Sequence, residues 1–321
     1  MKYMINGHRW AALIKSQLLL LAISSTWVIN AQIESRSEWE SELYAEHPLV
    51  GRIWDSASAE FIDVNKLTTA IERASYLLLG EKHDNPDHHS LQQEILSFLI
   101  KRNRVAGVAF EMMDSDAQSL LDEIESENFA SLEELKNYLR WDEEGWNWSY
   151  YGPLVNLAYA ARIPIAAANI NNETMQQVYV ESSVSEAIDV LDELTMQRLN
   201  IDIDESHCGL LPDSQFPAMV RVQQARDYAM ANSLRRADKD TTSLLFAGNY
   251  HIRQDLGVPN YLLARDSSLT RGQIVALSFM EVDEEIDDPS EYLQQFGAVK
   301  AFDFIWFTPA ISDEDYCASL R

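Results

Sequence analysis

The stretch "LLLGEKHDNPDHHSLQQEIL", residues 77–96, joins an apolar run, a polar turn and a helical pattern. Its opening leucines are typical of a buried strand. Pro86 suits the first turn of a helix, with Asp84 or Asn85 as the N-cap. The apolar residues that follow form one stripe at helical spacing: Leu91, Ile95, Phe98 and Leu99. The stretch therefore predicts a strand followed directly by a helix, the unit from which parallel sheets are built.

The same alternation continues through the chain. Short apolar runs lie at 76–80, 105–111, 164–169, 243–248, 273–279 and 301–307. Near-continuous apolar runs suit strands buried on both faces, and helical patterns separate them. We therefore predict an α/β fold, a mainly parallel β-sheet flanked by helices. Residues 49–55 and 59–64 are expected to form a small hairpin, and 171–240, too long for a crossover, an inserted helical subdomain.

The first 31 residues differ in composition from the rest. They contain three basic residues and no acid, then an apolar stretch at 18–23 and a small residue, Ala31. This order is typical of a cleaved secretory signal peptide, with an uncleaved membrane anchor as the alternative. No cysteine lies nearby to carry a lipid. We therefore expect residues 32–321 to form a soluble periplasmic or secreted domain.

The charge and the cysteines limit the possible partners. The formal net charge is −26, so the basic face that a nucleic-acid-binding protein needs is not expected. Any anionic ligand would have to find local basic residues against this field. The two cysteines, Cys208 and Cys317, predict one disulfide in an exported protein, with two buried thiols as the alternative.

Titratable side chains follow the predicted strands where these end. Glu81 and His83 follow one strand, Glu111 follows the next, and His251 follows the strand at 243–248. The carboxyl ends of parallel strands lie along one edge of a sheet, so these four residues are expected to meet in a crevice. Two imidazoles and two carboxylates suit Mn²⁺, Fe²⁺ or Zn²⁺. A metal-free acid/base pair is the alternative.

Two other clusters have less specific interpretations. His88 and His89 lie in a first helical turn and point about 100° apart, so both are predicted to be structural. The segment 140–153 contains three tryptophans and two tyrosines. It is either a packed loop or an apolar wall for a planar ligand with a tyrosine phenol as donor. The motifs HExxH, GxSxG, Walker A and GxGxxG are absent from the sequence.

Several motifs together resemble the ChaN family of haem-binding uptake proteins. They are "GEKHDNPDHHSLQQEIL", "FEM", "PIAAANI", "HCGLLP", "AGNYHIRQDLGVPNYL" and "GRIWD", in the order of the family. The superfamily also includes Tiki-type metalloproteases and erythromycin esterases, and its signature is two GxxH motifs and a glutamate. These correspond here to Gly80–His83, Gly248–His251 and Glu111. The resemblance implies a parallel α/β domain with a smaller helical one, exported for haem acquisition.

The resemblance also implies a ligand and its contacts. Family members bind haem at a dimer interface through a tyrosine. Haem is therefore expected at the carboxyl-terminal edge of the parallel sheet, in a homodimer that forms when haem is loaded. Outer- or inner-membrane haem transport components are expected as partners. The candidate iron ligands are Tyr150, Tyr151 and Tyr250. Lys82 and Arg253 are candidates for the propionates, with His83 and His251 beside them. The alternative function is a metal-dependent hydrolase that uses His83, Glu111 and His251.

Overall fold

The computed structural model describes Ile33 and residues 38–294, 300–314 and 317–318. The predicted signal peptide, residues 1–31, lies outside the described residues. The strands are β1 Ile53–Asp55, β2 Glu60–Ile62, β3 Tyr76–Glu81, β4 Val105–Asp114, β5 Ile165–Asn169, β6 Thr242–Gly248, β7 Ile274–Glu281 and β8 Phe304–Thr308. The helices are α1 Val64–Ile71, α2 Pro86–Lys101, α3 Gln118–Glu123, α4 Leu132–Leu139, α5 Trp148–Ala160, α6 Asn172–Val180, α7 Glu193–Ser206, α8 Phe216–Ser233, α9 Val258–Arg265 and α10 Glu291–Gln294.

All the described strands belong to one sheet, in the order β2-β1-β8-β7-β3-β6-β4-β5. The strands from β8 to β5 in this order pair in parallel. β1 pairs antiparallel with both β2 and β8. The predicted α/β fold with a mainly parallel sheet is therefore confirmed, and so is the predicted hairpin.

The opening stretch folds as its residues indicate. Asn85 is the N-cap of α2, and its Oδ1 accepts the backbone N–H groups of Asp87 (2.9 Å) and His88 (3.3 Å). Pro86 occupies the first helical turn, where the missing N–H has no cost. The predicted apolar stripe of α2 is buried. This cap holds the polar turn 82–85 directly over the carboxyl end of β3.

Both faces of the sheet are covered by helices. On one face Leu77, Leu79 and Phe246 pack with apolar residues of α2 and α5. On the other face Leu78 and Leu245 pack with residues of α8 and α9. Alternate residues of one strand thus enter two separate cores, which is why the strand sequences are continuously apolar.

The segment 171–240 contains three α-helices. The last of them, α8, packs against β4 and β5 and serves as part of the layer that covers the sheet. α6 and α7 pack on α8 instead of on the sheet. A small apolar core of Leu199, Ile203 and Val220 holds α7 to α8. The helices α6 and α7 are therefore attached to the sheet through α8, which packs directly against it.

The predicted disulfide is confirmed: Cys208 is bonded to Cys317 across 109 residues of sequence. The bond ties Cys208, the second residue after α7, to the C-terminal tail. Within the described residues, no helix combines the length and the apolar character that a membrane span requires.

The two edge strands of the sheet, β2 and β5, differ in how they limit further strand pairing. At one end the last strand, β2, is only three residues long. At the other end β5 is the edge strand, and its Ala167 N–H donates to the Gln118 side-chain oxygen at 2.9 Å. The side chain of Gln118, the first residue of α3, thus accepts a hydrogen bond from a backbone N–H that would otherwise point outward from the edge of the sheet.

Candidate functional site

The carboxyl ends of the central strands form a cavity of 670 Å³, here called the strand-end crevice. β3 ends at Glu81, which is paired in register with Gly248 at the end of β6. Glu111 lies on the neighbouring β4. All four predicted metal ligands line this crevice, as the parallel topology predicts: Glu81, His83, Glu111 and His251.

Glu81 is the buried centre of one charged cluster. Its Oε1 accepts the Tyr151 hydroxyl at 2.7 Å and lies 3.0 Å from His83 Nδ1. Its Oε2 lies 3.2 Å from His89 Nδ1. Burial alone would raise the pKa of Glu81, but the positive charge of His89 and the hydrogen bond from His83 outweigh it and hold that pKa well below its usual range.

Glu111 and His251 form a second buried cluster. Glu111 Oε2 accepts the Gly248 N–H at 2.7 Å, and Oε1 lies 3.2 Å from His251 Nε2. His251 Nδ1 lies 2.6 Å from Asp227 Oδ1. Burial opposes both charges, yet His251 lowers the pKa of Glu111 to about 2. Glu111 and Asp227 together raise the pKa of His251 to about 10, so its ring is an imidazolium at neutral pH.

The glycines of the two GxxH motifs are required by close packing. A Cβ on Gly248 would lie 2.9 Å from His83 Nε2 and 3.6 Å from Glu111 Oε2. A Cβ on Gly80 would collide with the Asn249 side chain and with Ile252 Cδ1. The motif thus brings each histidine against the end of the neighbouring strand, where no other residue fits.

The donors of the predicted metal site are already paired with each other. His83 faces Glu81 through Nδ1, and His251 faces carboxylates with both of its ring nitrogens. Over the described residues, no group of three or more His, Cys, Asp and Glu side chains is arranged to hold a metal ion. The four residues meet as predicted, but they meet as ion pairs.

His88 and His89 occupy buried positions at the start of α2. His88 Nδ1 accepts the Lys82 N–H at 2.9 Å, and its Nε2 lies 2.9 Å from Thr308 Oγ1. Burial and the neighbouring charge of His89 lower the pKa of His88 to about 3, so its ring is neutral. His89 completes the cluster around Glu81. Both histidines therefore organise the turn after β3.

The three candidate tyrosines have different surroundings. Tyr151 is fully buried, and burial together with the charge of Glu81 raises the pKa of its phenol far above the usual value. Tyr150 is half-buried and stacks on His89, with 4.7 Å between ring centroids. Tyr250 is half-buried and donates to Asp202 Oδ2 at 3.3 Å. Burial and Asp202 raise its pKa as well.

Most of the aromatic segment 140–153 packs inward. Trp141 stacks edge-on against Trp148 at 4.9 Å, and both contact the larger core. Trp146 is the exception, because it lines the strand-end crevice with its ring 4.8 Å from that of His83. The segment is therefore mainly a packed loop that contributes one aromatic ring to the crevice.

The two predicted propionate contacts also differ. Arg253 is 2% exposed, and its guanidinium is held by Asp202 at 2.6 Å and by Asp255 at 2.6 and 3.0 Å. Lys82 is half-exposed at the mouth of the crevice, where Nζ lies 3.0 Å from Glu281 Oε2. Arg253 thus braces the strand end internally, whereas Lys82 faces the open side.

A second cavity lies beside the crevice, between the helices that the sequence predicted as an insertion. This helical slot has a volume of 680 Å³. Its lining residues are Met175, Gln176, Tyr179 and Val180 of α6, Asp202, Ile203, Ser206 and His207 at the end of α7, Met219, Val222, Gln223 and Arg226 of α8, and Tyr250 and His251. Since α6 and α7 both pack on α8, α8 forms the floor and the other two helices form the walls.

Arg226 connects the two cavities, together with Tyr250 and His251. Its Nε is buried and has no hydrogen-bond partner among the described residues. Burying an unsatisfied polar group is unfavourable, so such an atom indicates a site for an anion or another acceptor. The sequence did not single out Arg226 or Asp227, because both lie inside a helix without a recognisable motif.

Comparison with known proteins identifies the family. The family model described as haem-binding uptake, Tiki superfamily, ChaN matches residues 67–262. The chain belongs to this ChaN family. The match begins in α1 and ends in α9, so it includes both GxxH motifs and the whole helical slot. The resemblance drawn from the motifs is thereby confirmed.

One solved structure has the same fold as this chain, and others are more distantly similar. The structure of cofacial haem binding to ChaN of Campylobacter jejuni is 26% identical, with a TM-score of 0.64, and the match covers 79% of this chain and 95% of that one. An erythromycin esterase mutant in its open conformation is 15% identical, with a TM-score of 0.41 and coverage of 68% and 72%. A MARTX toxin effector domain from Vibrio vulnificus is 16% identical, with a TM-score of 0.40 and coverage of 70% and 36%. No curated protein sequence is significantly similar.

Proposed function

We propose that this protein binds haem in the helical slot and serves haem acquisition outside the cytoplasm. The observation that carries the proposal is the unpartnered Nε of Arg226 at the opening of a mainly apolar slot. Haem combines an apolar planar ring with two carboxylates, and the slot offers an apolar interior with a cation at one end. Membership of a haem-binding uptake family and the likeness to ChaN of Campylobacter jejuni support the proposal.

The dimensions and lining of the slot suit a macrocycle. Its volume of 680 Å³ falls within the range of about 300–1,000 Å³ that is usual for small-molecule clefts. Met175 and Met219 supply polarizable side chains that adapt to a flat ligand. Burial of the ring between α6 and α7 would supply most of the affinity.

The propionates would lie where the slot opens into the crevice. Arg226 would hold one carboxylate through its free Nε. Lys82, which is half-exposed and paired with Glu281, would turn from Glu281 to hold the other propionate. Charge-assisted hydrogen bonds of this kind are about twice as strong as neutral ones. Arg253 takes no part, because two aspartates already satisfy its guanidinium.

Haem loading would bring two copies together. Among the described residues, six large apolar side chains are exposed, and five of them lie on or beside the slot walls between residues 179 and 210. Val180 is 80% and Leu194 is 76% exposed. Such a patch suits a self-complementary contact in which two slots would face each other. The cofacial haem binding described for ChaN of Campylobacter jejuni supports this arrangement.

Dimer formation is tested by measuring the molecular mass in sedimentation with and without haemin. The wild-type mass should double on loading, and Val180→Asp should prevent this. Leu132→Asp is the matched control, since Leu132 is the exposed apolar residue that lies away from the slot. A wild-type protein that stays monomeric when saturated, or a Leu132→Asp effect equal to that of Val180→Asp, contradicts the dimer.

Export and membrane partners complete the proposal. The Cys208–Cys317 bond suits an oxidising compartment, and the signal-like pattern at residues 1–31 is consistent with it. A soluble carrier of haem would pass its ligand to outer- or inner-membrane haem transport components. Cell fractionation followed by N-terminal mass analysis tests export, and a full-length cytoplasmic product contradicts it.

Haem binding itself is tested by titrating haemin into the purified mature protein. A saturable shift of the Soret band is expected, with a Kd raised about tenfold in Arg226→Gln, which corresponds to the loss of one charged hydrogen bond. Arg236→Gln on the exposed surface is the control and should bind like wild type. The absence of any saturable shift overturns the proposed function.

One observation favours a second candidate function in the crevice. His83 is 39% exposed and lines the crevice, and Glu81 holds its Nδ1, as in a carboxylate–histidine dyad. This arrangement suits metal-free acid/base hydrolysis of an ester or amide. Turnover of an ester and peptide panel that is lost in His83→Ala supports it. Equal rates for wild type and His83→Ala contradict it.

A further inference from the structure

A disulfide lies at the end of one wall of the helical slot. Ser206, the last residue of α7, and His207 both line the slot, and Cys208 follows them directly. Cys208 is bonded to Cys317 in the C-terminal tail. The end of the α7 wall is therefore held by a covalent bond that neither the GxxH motifs nor the charged clusters of the crevice include.

Non-covalent contacts hold the middle of the same helix. Leu199 and Ile203 of α7 pack with Val220 of α8 in the small apolar core. Asp202 Oδ2 accepts a hydrogen bond from Arg253 Nη1 at 2.6 Å, which ties this stretch to the chain after β6. Among the described residues of α7, the buried members of this core end at Ile203. The disulfide therefore restrains the last turn, which lies beyond these contacts and lines the slot.

The bond also gives α7 a second attachment to the sheet. The tail that carries Cys317 begins at the end of β8, where Ala310 pairs with Leu43. Ile311 N–H donates to Oε1 of Glu281, the last residue of β7, at 3.2 Å. With the bond intact, the end of α7 is thus tied to β8 through the tail, in addition to its packing on α8.

The helix end that the bond restrains has a strained backbone. The N–H of Gly209 donates to the Asp204 carbonyl at 2.9 Å, and that of Cys208 donates to the Glu205 carbonyl at 3.0 Å. This is the Schellman arrangement, whose left-handed position is usually occupied by glycine. Here Cys208 occupies it with a φ of 60°, where a Cβ is unfavourable. Once the bond is cut, Cys208 is free to leave this conformation and the last turn of α7 to unwind.

We propose that the Cys208–Cys317 disulfide is a redox latch on the helical slot, a role that rests on the proposed haem-binding function. Reduction by a protein dithiol releases the end of α7 and speeds the departure of the ligand. Oxidation restores the wall. The latch thus makes ligand release depend on the thiol–disulfide state of the compartment.

The reduction is an ordinary thiol–disulfide exchange. Cys208 is 7% exposed and Cys317 is half-buried, so a thiolate of the dithiol attacks Cys317 Sγ. The S–S bond breaks, and Cys208 leaves as a thiolate that takes up a proton. The second thiol of the dithiol then attacks the mixed disulfide, which releases Cys317 as a thiol. Two electrons and two protons pass to the protein, and the dithiol is oxidised to its own disulfide.

The test needs a reference for general loss of stability, because loss of a disulfide also destabilises the whole fold. Leu67→Ala is this matched control. Leu67 is fully buried in α1 and belongs to the core on the face of the sheet opposite α8. Its truncation weakens the fold without altering a residue of the slot.

The ligand-free protein tests the latch independently of haem. Dithiothreitol in native buffer should reduce the bond while the far-UV circular dichroism stays unchanged, with alkylation and mass analysis as the readout. Amide hydrogens in the last turn of α7 should then exchange about tenfold faster, and Leu67→Ala in the oxidised state should not show this change. A bond that is reduced only in denaturant, or exchange in the last turn that is unaffected by reduction, overturns the latch.

Transfer of haemin to excess apomyoglobin measures the effect on the ligand. The double variant Cys208→Ser, Cys317→Ser should release haemin about tenfold faster than oxidised wild type, whereas Leu67→Ala should release it at the wild-type rate. The serine pair contains no thiol that could bind the iron. Cys208→Gly, Cys317→Ser removes the bond but relieves the left-handed position, so its rate should lie between those of the serine pair and wild type.

Three results of this transfer experiment overturn the inference. They are equal rates for the serine pair and oxidised wild type, a glycine pair no faster than wild type, and an acceleration by Leu67→Ala as large as that of the serine pair. Each of them leaves the proposed haem binding intact. A wild type without any saturable Soret shift overturns haem binding instead, and the hydrogen-exchange measurement still decides whether the disulfide holds the end of α7.

Discussion

At the scale of single residues, the charge clusters explain why polar groups tolerate burial at the strand ends. Glu81, Glu111 and Asp227 each face at least one imidazole at 3.2 Å or less. Removing one partner of a buried ion pair is costly, because the other charge stays buried without compensation. The clusters therefore fix the geometry of the crevice more than they add to its stability.

The glycine that ends β6 gives a direct steric prediction. Gly248→Ala should lower the free energy of unfolding by about 1–3 kcal/mol, because the new Cβ presses on His83 and approaches Glu111. The measurement is denaturant unfolding. Gly272→Ala is the matched control, since a Cβ there meets nothing within 4 Å. Equal stability of the two variants would contradict the steric account.

The pKa of His251 predicts how stability changes with pH. The folded pKa is raised to about 10 from an ordinary value of 6.5, so the contribution of His251 is complete below pH 6.5 and is lost as the pH rises from 6.5 to about 10. In that window the slope is at most about 1.4 kcal/mol per pH unit. The stability of His251→Gln should therefore vary less than that of wild type over this window.

Unfolding by urea at intervals of pH measures this difference. Gly272→Ala is the control, because it changes no titratable group and its Cβ meets nothing within 4 Å, so its curve should run parallel to wild type. His88 acts in the opposite direction: its stability contribution is complete above pH 6.5 and falls as the pH drops towards about 3. Parallel curves for wild type and His251→Gln between pH 6.5 and 10 would refute the assignment.

The sequence predicted the site residues that follow strands and missed those on helices. Glu81, Glu111 and His251 could be found because an apolar run marks each strand end, and a parallel sheet brings the ends together. No apolar run precedes Arg226 and Asp227, which lie within α8, so no signal in the sequence marks them. Polar residues on a helix are usually solvated. Only the packing of α8 places Arg226 at the cavities and buries Asp227 against His251.

At the scale of elements, the helical slot depends on how α6 and α7 rest on α8. Helical spacing predicted that 171–240 would be helical. It could not predict that α8 would join the layer covering the sheet, because the apolar residues of α8 occur on more than one face. A helix that packs on β5, α6, α7 and α9 buries much of its circumference, so its sequence does not reveal which partner each face meets.

Removal of the Cys208–Cys317 disulfide is predicted to lower the free energy of unfolding. The loop that it closes spans 109 residues, for which the chain-entropy model gives about 4–5 kcal/mol. The double variant Cys208→Ser, Cys317→Ser should lose on the order of this amount in denaturant unfolding. Wild type in reductant should match the variant, and reductant should leave the variant unchanged. A reductant effect on the variant would show that the bond is not the cause.

At the scale of the whole molecule, the net charge of −26 opposes the approach of an anionic ligand. The association rate of haemin should therefore rise several-fold between low and high salt, because screening shortens the range of the repulsion to about 10 Å at 0.1 M. Stopped-flow absorbance measures the rate. A rate that falls with salt would mean that the local field of Arg226 and Lys82 dominates over the net charge.

The overall architecture was accessible from the sequence because it depends on patterns that repeat. Six apolar runs separated by helical patterns are enough to predict a parallel sheet, and the quoted motifs are enough to predict the family. The position of the ligand was not accessible in the same way. Tyr150, Tyr151 and Arg253 were selected from local sequence. In the structure the Tyr150 ring stacks on His89, the Tyr151 hydroxyl donates to Glu81, and Arg253 is paired with Asp202.

The way the two sheet edges end has a consequence for self-association at high protein concentration. Open edges invite strands of other molecules to add on, which leads to aggregation. Here one edge strand, β2, is only three residues long. On the other edge strand, β5, the Ala167 N–H already donates a hydrogen bond to Gln118. Self-association through sheet extension is thereby discouraged at both ends. The proposed contact between copies would therefore use the exposed apolar residues of α6 and α7 instead of a sheet edge.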